Sequence, residues 1–306
     1  MTSLIIGSRQ STLATIQATM VGDLIQKQHP DIHVVYKTLQ TTGDRHPTQP
    51  LSEIGGKSVF VKEIEKALVD THIDLAVHSL KDMTCHMLQE LTLLGFLNPE
   101  SVCDTLVSLQ GYTLDTLPMG ANIGTGSLRR KAFLKELRPD VTCIPLRGNV
   151  DSRLAALYTQ PLDGIVLSEA GLIRIQALLC SKPSVQPFIY NTSAYHACRL
   201  EPHVFCPAPG QGVVAIQGRV CDKDRFAFLS RLCDPVAYQR SVWEYQLLHD
   251  LAFNCTIPFG AMITGDGATF CAQAALPNKR LSVCFDCDNA HSEIFKFATL
   301  IKEAWS

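Results

Sequence analysis

The chain lacks the features of membrane proteins and of nucleic-acid-binding proteins. Its 306 residues contain no apolar run close to the roughly 20 residues that a membrane helix needs. Positive charge is not in excess, because 27 lysines and arginines are balanced by 29 acidic residues and the net charge is −2. The start of the chain has no basic segment followed by an apolar one, so no secretory signal is predicted. We therefore expect a cytoplasmic protein with no membrane and no nucleic-acid partner.

Nucleotide-binding motifs and a cysteine framework are also missing. No G-x-x-x-x-G-K-[ST] loop occurs and no G-x-G-x-x-G opens a helix, so nucleotide binding is not indicated. The 12 cysteines are scattered along the chain, which favours reduced thiols in the absence of a secretory signal. Cys284 with Cys287, and the histidines and cysteines of 196–206, offer the atom types that zinc prefers. Their spacing is irregular or incomplete, so no metal site is predicted.

Short β-branched segments alternate with amphipathic segments along the first half of the chain. Residues 11–28 predict a helix between two strands, and the same strand–turn–helix order restarts near Thr105. Such a βαβ series forms a parallel sheet whose ligands bind beyond the carboxyl ends of the strands. Residues 178–206 are predicted to be rich in loops, and a strand at 213–217 is predicted to return to the first lobe.

The predicted fold class is α/β, with two similar α/β lobes facing a cleft and a small α+β C-terminal domain. The C-terminal region indicates one or two helices, then three strands, then a final helix. The first lobe is predicted to combine residues 1–98 with 207–230, the second lobe to span 99–206 and the C-terminal domain to span 231–306.

Four arginines fall within 25 positions, in two loops at 124–130 and 146–153. Glycine and small hydroxyl residues beside them leave room for the oxygen atoms of a ligand. Arginine presents a rigid, permanently charged fork that matches carboxylate and phosphate groups. In a chain of nearly zero net charge, such a cationic pocket predicts a small polyanionic ligand.

Three strand-to-helix turns offer backbone N–H groups for anion binding, at residues 8–11, 55–56 and 125–127. The N-terminus of a helix carries partial positive charge, although N-capping is the commoner role of serine and threonine there. Arg9 beside the first turn, and the arginines beside the third, favour the ligand-binding interpretation.

Two further positions are candidates for chemistry. Asp82 follows Lys81 at the end of a strand, from which its carboxylate would reach the cleft and could hold a cation or a ring N–H. An aspartate at a strand end is more often a turn former. Cys255 lies on a loop between a helix and a strand, where a thiol can be an exposed nucleophile, although most single cysteines are inert.

Together these segments resemble the hydroxymethylbilane synthase family, also called porphobilinogen deaminases, over nearly the whole chain. The most specific feature is LRGNVDSRL at 146–154 together with the AVHSLKD part of DLAVHSLKDM at 74–83, and IGTGSLRR at 123–130 also matches. The other matching segments are GSRQSTLATIQ at 7–17, GGKSVFVKEIEKAL at 55–68, GIVLSEAGLIR at 164–174, PAPGQG at 207–212 and CTIPFGA at 255–261.

The resemblance implies a fold, a reaction and a cofactor. Two lobes resembling periplasmic binding proteins hold the active site, and a third domain presents a cysteine that carries a dipyrromethane cofactor through a thioether. Cys255 matches that cysteine. The reaction joins four porphobilinogen molecules head to tail with loss of ammonia, and then releases the linear tetrapyrrole hydroxymethylbilane for haem biosynthesis. Asp82 matches the family's catalytic aspartate, which stabilises a cationic azafulvene.

The resemblance also implies the ligand contacts. Each pyrrole carries an acetate and a propionate, so the growing chain accumulates negative charge that the protein must neutralise. The implied cofactor-binding residues, besides Cys255, are Lys81, Thr125, Ser127, Arg129 and Arg130. The implied substrate-binding residues are Arg9, Ser11, Arg147, Arg153 and Arg174.

The chain departs from the family pattern most strongly in the C-terminal domain. These departures affect the expected rate and the geometry of the cofactor loop more than the expected class of substrate. They are Phe253 and Asn254 in place of two glycines, Tyr245 in place of an arginine, Thr84 in place of a proline, Cys103 in place of an arginine and Gly126 in place of a serine.

Two alternatives to an active, monomeric enzyme remain open. Two α/β lobes around an anion cleft also occur in non-enzymatic solute-binding proteins and effector-sensing domains, although no helix-turn-helix segment is predicted here. A degenerate family member could keep the fold and bind tetrapyrrole precursors without turnover. A covalent pyrrole cofactor distinguishes the active enzyme from both.

Overall fold

A computed structural model describes residues 2–45, 61–84, 87–177, 185–251 and 257–305 of the chain. The elements in these ranges form two mixed sheets, each packed against helices, and a third sheet that is antiparallel. The predicted class of two α/β lobes and a small α+β domain is confirmed. Within the same ranges, no helix combines the length and the apolar character that crossing a membrane requires.

The elements are numbered in chain order. The strands are β1 (Thr2–Arg9), β2 (Ile32–Leu39), β3 (Leu75–Ser79), β4 (Leu91–Phe96), β5 (Asp104–Ser108), β6 (Asn122–Gly124), β7 (Thr142–Ile144), β8 (Gly164–Ser168), β9 (Gln186–Tyr190), β10 (Ser193–Leu200), β11 (Val214–Arg219), β12 (Gly260–Gly265), β13 (Thr269–Leu276) and β14 (Lys279–Asp286). The α-helices are α1 (Thr12–Gln28), α2 (Thr42–Arg45), α3 (Lys62–Val69), α4 (Leu128–Leu137), α5 (Val150–Thr159), α6 (Glu169–Arg174), α7 (Pro235–Leu251) and α8 (Ala290–Trp305).

The sheet of lobe 1 has the strand order β2-β1-β3-β11-β4. Strand β1 pairs in parallel with β2 and β3, whereas β11 pairs antiparallel with β3 and β4. The predicted return of a strand near 213–217 to this lobe is therefore confirmed. Strand β4, which has no counterpart in the predicted series, forms one edge of the sheet.

Helix α1 covers one face of this sheet and fixes the turn that follows β1. Ser11 caps the helix, because its Oγ accepts the N–H of Ala14 at 3.3 Å. Val21 and Ile25 are fully buried against Ile6 of β1. Each such side chain contributes about 1.5–3 kcal/mol by leaving water. This packing holds residues 7–11 at the carboxyl end of the strand.

The sheet of lobe 2 has the strand order β7-β6-β8-β5-β10-β9. The prediction that 178–206 is rich in loops is wrong for its described part, because β9 and β10 form a hairpin. Asn191 and Thr192 make its turn at φ values of +46° and +66°. Phe188 of β9 and Tyr195 of β10 lie opposite each other in the hairpin, and both are buried with ring centroids 5.2 Å apart. This aromatic pair stabilises the hairpin on the edge of the sheet.

The C-terminal domain packs α7 and α8 on a three-stranded antiparallel sheet of β12, β13 and β14. Trp243 of α7 meets the ring of Phe270 at 4.5 Å between centroids, in an edge-to-face arrangement. The expectation of reduced thiols is wrong for Cys271 and Cys284, which lie opposite each other on β13 and β14 and form a disulfide. Cross-strand pairing brings these two cysteines together, and their spacing along the chain does not reveal it.

Two chain segments, residues 97–100 and 212–214, connect the lobes, and their backbones are hydrogen-bonded to each other. Leu97 N donates to Val214 O, and Glu100 N donates to Gly212 O, both at 3.0 Å. Gly212 has φ +87°, and a Cβ atom there would lie 2.5 Å from Glu100 O. Each sheet falls within one of the three predicted domain ranges. The division into 1–98 with 207–230, 99–206 and 231–306 stays a prediction.

Candidate active site

The carboxyl end of β1 and the turn that follows it carry the first two predicted site residues, Arg9 and Ser11. Arg9 is ion-paired with Asp44, with Nη2 donating to Oδ1 and Nε donating to Oδ2 at 3.4 Å. Burial acts to raise the pKa of Asp44, but hydrogen bonds from Arg9 and Thr41 outweigh it and lower that pKa. Ser11 has the capping role at the start of α1. The pair therefore holds Arg9 at the carboxyl end of β1.

Lys81 and Asp82 lie in the short 3-10 turn that follows β3. Both side chains are half-buried. Lys81 Nζ donates to Gln211 Oε1 at 3.2 Å. Burial, followed by the positive charge of Arg130, lowers the pKa of Lys81 to about 7 despite two nearby carboxylates. Lys81 therefore changes its charge near neutral pH.

Arg129 and Arg130 share one buried carboxylate, that of Asp104. Arg129 Nη1 lies 2.7 Å from Asp104 Oδ2, and Arg130 donates to Oδ1 from Nε at 3.0 Å and from Nη2 at 2.7 Å. Arg129 also donates to Cys206 O at 2.6 Å, and Arg130 also donates to Val166 O at 2.7 Å. Burial opposes ionisation of the carboxyl, but the two guanidiniums lower the pKa of Asp104 to about 2. This triad has a net charge of +1.

The hydroxyl groups of Thr125 and Ser127 shape the loop before α4. Thr125 Oγ1 accepts the N–H of Ser127 at 3.2 Å, and Ser127 Oγ accepts the N–H of Arg130 at 3.4 Å as the N-cap of α4. A hydroxyl group that accepts such a bond keeps its hydrogen for donation to a ligand. The hydrogen bonds that Thr125 and Ser127 accept within the loop are therefore compatible with their predicted role in ligand binding.

Arg147 and Arg153 border the start of α5. Arg153 Nε donates to Gly148 O at 2.8 Å, and Gly148 has φ +107°. Burial, followed by the charge of Arg130, lowers the pKa of Arg153 to about 10. Burial also lowers the pKa of Arg147. Both guanidiniums therefore lie where positive charge is costly and an anion would relieve that cost.

The charged groups of the two lobes act on one another and form one interlobe cluster. The charges of Arg9, Arg147 and Asp82 all affect the pKa of Arg153, and the charges of Arg129 and Asp104 affect the pKa of Lys81. Cations outnumber carboxylates six to three. A ligand with several carboxylates fits this donor set, because it would supply the missing negative charge. The cluster consists of Arg9, Lys81, Arg129, Arg130, Arg147 and Arg153 with Asp44, Asp82 and Asp104.

Arg174 has different contacts from the other predicted site residues. It is buried in α6, and its Nη2 donates to Gly212 O. Burial lowers the pKa of Arg174 to about 10, and the charge of Glu100 opposes this. Gly212 and Glu100 both belong to the segments that connect the lobes. The structure therefore places Arg174 at that connection and does not bring it into the interlobe cluster.

Sequence reasoning missed two residues that organise the interlobe cluster, Asp104 and Gln211. Asp104 follows Cys103, and nothing in the local pattern shows that two arginines more than 20 residues away bind it. Gln211 is 1% exposed, and its Nε2 donates to Val102 O at 2.7 Å and to Asp104 Oδ1 at 3.2 Å. The available signal was a glutamine between two glycines in the PAPGQG segment at 207–212.

Cys255, the predicted cofactor residue, lies outside the described residues, as do residues 55–56. The segment that resumes at Ile257 packs on the end of lobe 2. Ala261 N donates to Pro207 O at 2.9 Å. A Cβ atom on Gly260 would lie 2.7 Å from Cys206 O, the same carbonyl oxygen that accepts from Arg129. The described part of the C-terminal domain therefore borders an arginine of the interlobe cluster.

The zinc candidates at 196–206 do not form a ligand set. Within the described ranges, no three His, Cys, Asp or Glu side chains gather as metal ligands. His196 Nδ1 lies 3.1 Å from Leu109 O. Burial raises the pKa of the Cys198 thiol, and it raises that of Cys206 to about 12. These thiols stay protonated near neutral pH and are poor metal ligands.

The fold and the interlobe cluster define a class of two-lobed α/β proteins whose cationic site suits a polycarboxylate. A family model described as porphobilinogen deaminase, dipyromethane cofactor binding domain, matches residues 4–226. The chain is 39% identical to the porphobilinogen deaminase of Rickettsia prowazekii, over 85% of this chain and 82% of that protein. It is 41% identical to that of Limosilactobacillus reuteri, over 84% and 80%. The chain belongs to the porphobilinogen deaminase family.

These matches confirm three of the predictions made from the sequence: the family, the transferase class and the dipyrromethane cofactor. Among solved structures, the chain is similar to a periplasmic binding protein of Salmonella typhimurium with high arginine specificity. That likeness has a TM-score of 0.42 and 14% identity, and it covers 82% of this chain and 98% of the other.

Proposed function

We propose that this chain is an active hydroxymethylbilane synthase. It joins four porphobilinogen molecules head to tail, releases ammonia at each addition and finally hydrolyses the linear tetrapyrrole from its anchor. Family membership supports this reaction. The observation that carries the proposal is the interlobe cluster, in which the charge of the catalytic candidate Asp82 acts on Lys81, Arg130 and Arg153. We further propose that the protein is a cytoplasmic monomer without a nucleic-acid partner.

We assign Asp82 the role of stabilising the substrate cation. Loss of ammonia from the aminomethyl group of porphobilinogen leaves a cationic azafulvene, which a nearby carboxylate stabilises by its charge and by accepting the pyrrole N–H. Asp44 is committed to Arg9, and Asp104 is committed to two arginines. Asp82 forms no ion pair within 4.0 Å in the part of the chain that the structure describes. Its carboxylate is therefore the one in the cluster that can serve a cationic ligand.

The cations of the cluster bind the acetate and propionate groups of the pyrroles. A hydrogen bond to a charged group contributes about 1.5–3 kcal/mol, so several of them select a ligand with many carboxylates. The residues that would hold the cofactor are Lys81, Thr125, Ser127, Arg129 and Arg130, with Cys255 as the covalent anchor. Those that would hold the substrate units are Arg9, Ser11, Arg147, Arg153 and Arg174.

The dipyrromethane fits the charge and the position of this site. When bound, it supplies the pyrrole to which substrate units are attached. Its four carboxylates would offset the excess of three cations in the interlobe cluster. The segment beyond Cys255 packs against Cys206 and Pro207, next to Arg129, which supports attachment beside the cluster.

For Arg174 the proposed substrate contact requires a change at the connection between the lobes. Its Nη2 donates to Gly212 O, and its buried Nε has no hydrogen-bond partner among the described residues. An incoming carboxylate could satisfy Nε, but only if the segments beside Gly212 and Glu100 shift. We therefore propose that Arg174 joins the site as the lobes move during elongation.

Turnover of porphobilinogen tests the proposed function. Wild-type protein should consume porphobilinogen and release one ammonia molecule per pyrrole, with a linear tetrapyrrole as the product. Asp82→Asn keeps the side-chain shape and removes the charge, so it should lose nearly all activity while its circular dichroism stays unchanged. Asp31→Asn, at an exposed position, is the matched control and should retain full activity. Wild-type protein that releases no ammonia, or an Asp82→Asn variant with normal rates, would contradict the proposal.

A further inference from the structure

We propose that Gln211 is a positioning residue, whose amide holds the Lys81 ammonium in the interlobe cluster and links it to the Asp104 carboxylate of the other lobe. The inference deepens the proposed function and rests on it, because it assigns how one residue of that site is held and kept charged. In this proposal Gln211 does not contact the ligand, and it acts on the site by holding Lys81.

The three contacts of the Gln211 side chain fix the orientation of its amide. Oε1 accepts from Lys81 Nζ at 3.2 Å, while Nε2 donates to Val102 O at 2.7 Å and to Asp104 Oδ1 at 3.2 Å. A flipped amide would place Oε1 against two acceptors and Nε2 against an ammonium donor. Only the observed orientation satisfies all three partners, so the carbonyl group is directed at Lys81.

The backbone around Gln211 is held just as firmly. Gly210 and Gly212 flank it with φ values of +73° and +87°, which favour glycine. Gly210 N donates to the buried Glu244 Oε2 at 2.7 Å, and a Cβ atom on Gly210 would lie 2.7 Å from Leu80 Cγ. The turn is thus packed on the residue before Lys81 and tied to the C-terminal domain through Glu244.

The charges around Lys81 explain why an acceptor is needed there. Lobe 2 presents Arg129 and Arg130, which disfavour the ammonium form, together with Asp104, which favours it; lobe 1 presents Asp82, which also favours it. A carbonyl group beside Nζ stabilises the charged form further. Glutamine suits this position because one amide accepts from Lys81 and donates to Asp104. Glutamate and methionine cannot do both.

The protonation of Lys81 can be measured without turnover. Full-length wild type, Gln211→Met and Gln211→Glu are treated with acetic anhydride, which reacts with the neutral amine, over a range of pH. Mass spectrometry of the peptide with Lys81 then gives the midpoint of its titration. Gln211→Met removes the acceptor, so its midpoint should lie below that of wild type. Gln211→Glu places a carboxylate beside Nζ, so its midpoint should rise by about one pH unit or more.

Gln217→Met is the matched control, because Gln217 is a buried glutamine that bonds to His78 and Glu65. It should leave the Lys81 midpoint unchanged. Opposite displacements in the two Gln211 variants support the proposal, and either variant alone tests it if the other fails to fold. Equal midpoints in all of the proteins would overturn it. A wild type without turnover but with the expected order of midpoints would contradict the proposed function and leave the role of Gln211 intact.

Discussion

Replacing Asp104 by asparagine keeps the shape of the side chain and removes the charge that two buried arginines share. Asp104 is fully buried, and Arg129 and Arg130 are each 6% exposed. The substitution leaves two guanidiniums buried side by side without a carboxylate. Removing one partner of a buried ion pair costs about 3–5 kcal/mol, because the remaining charge is uncompensated. We expect a loss of this size in the free energy of unfolding at pH 7.

The titration of Asp104 gives a second value for the stability that its charge contributes. Its pKa is lowered from 3.8 to about 2, and this difference corresponds to roughly 2–3 kcal/mol. Because the folded-state pKa is the lower one, this stability is fully present above about pH 4 and is lost as the pH falls toward 2. The loss in the Asp104→Asn variant should exceed this value. Arginine can only donate hydrogen bonds. A protonated carboxyl is a neutral partner whose two oxygens can still accept from the arginines, whereas the asparagine amide has one acceptor oxygen and directs its NH2 group at one of the two fixed cations.

Urea unfolding followed by circular dichroism at pH 7 and pH 3 measures both effects. The difference between wild type and Asp104→Asn should be largest at pH 7 and should shrink at pH 3. Asp31→Asn, at an exposed position, should unfold like wild type at both values. A loss below about 1 kcal/mol at pH 7, the range of exposed ion pairs, would refute the argument that the triad is a buried, mutually dependent unit.

Three other predictions follow from the site. Arg147→Leu should slow pyrrole addition by about 10- to 100-fold through loss of one charge-assisted hydrogen bond, with unchanged circular dichroism; normal rates would remove Arg147 from the site. Turnover should fall as the pH rises through about 7, because Lys81 loses its proton there and can no longer bind a carboxylate; a flat profile from pH 6 to 9 would contradict this. Glu244→Ala should lower the unfolding free energy by about 2 kcal/mol or more in urea titrations, because it leaves the N–H groups of Gly210 and Ile263 buried and unpaired; an unchanged midpoint would show that other groups satisfy them.

Local pattern was sufficient for much of the fold. The β-branched residues of β1 and the apolar spacing of α1 predicted both elements, because each buries one face against a single neighbouring layer. The hairpin of β9 and β10 was not predicted. Its stability comes from burial of the stacked cross-strand pair Phe188 and Tyr195 in the core of lobe 2, and from a turn that places Asn191 at positive φ.

The same holds for the site, where features with a local signal were predicted and features that depend on packing were not. The arginines of both loops were identified from composition and spacing, because concentrated positive charge is visible along the chain. Their partners were not, since Asp104 reaches Arg129 and Arg130 only through the order of strands in lobe 2. The contacts of Arg174 with the connecting segments and the role of Gln211 also depend on how the lobes pack, which no local pattern contains.

The intact mass of the purified protein tests the central claim most directly, because a covalent pyrrole cofactor distinguishes the active enzyme from an anion-binding protein. Wild type should exceed its polypeptide mass by two linked pyrrole units, whereas Cys255→Ser should have the bare polypeptide mass. The bare mass in both proteins, even after incubation with porphobilinogen, would contradict the proposed function.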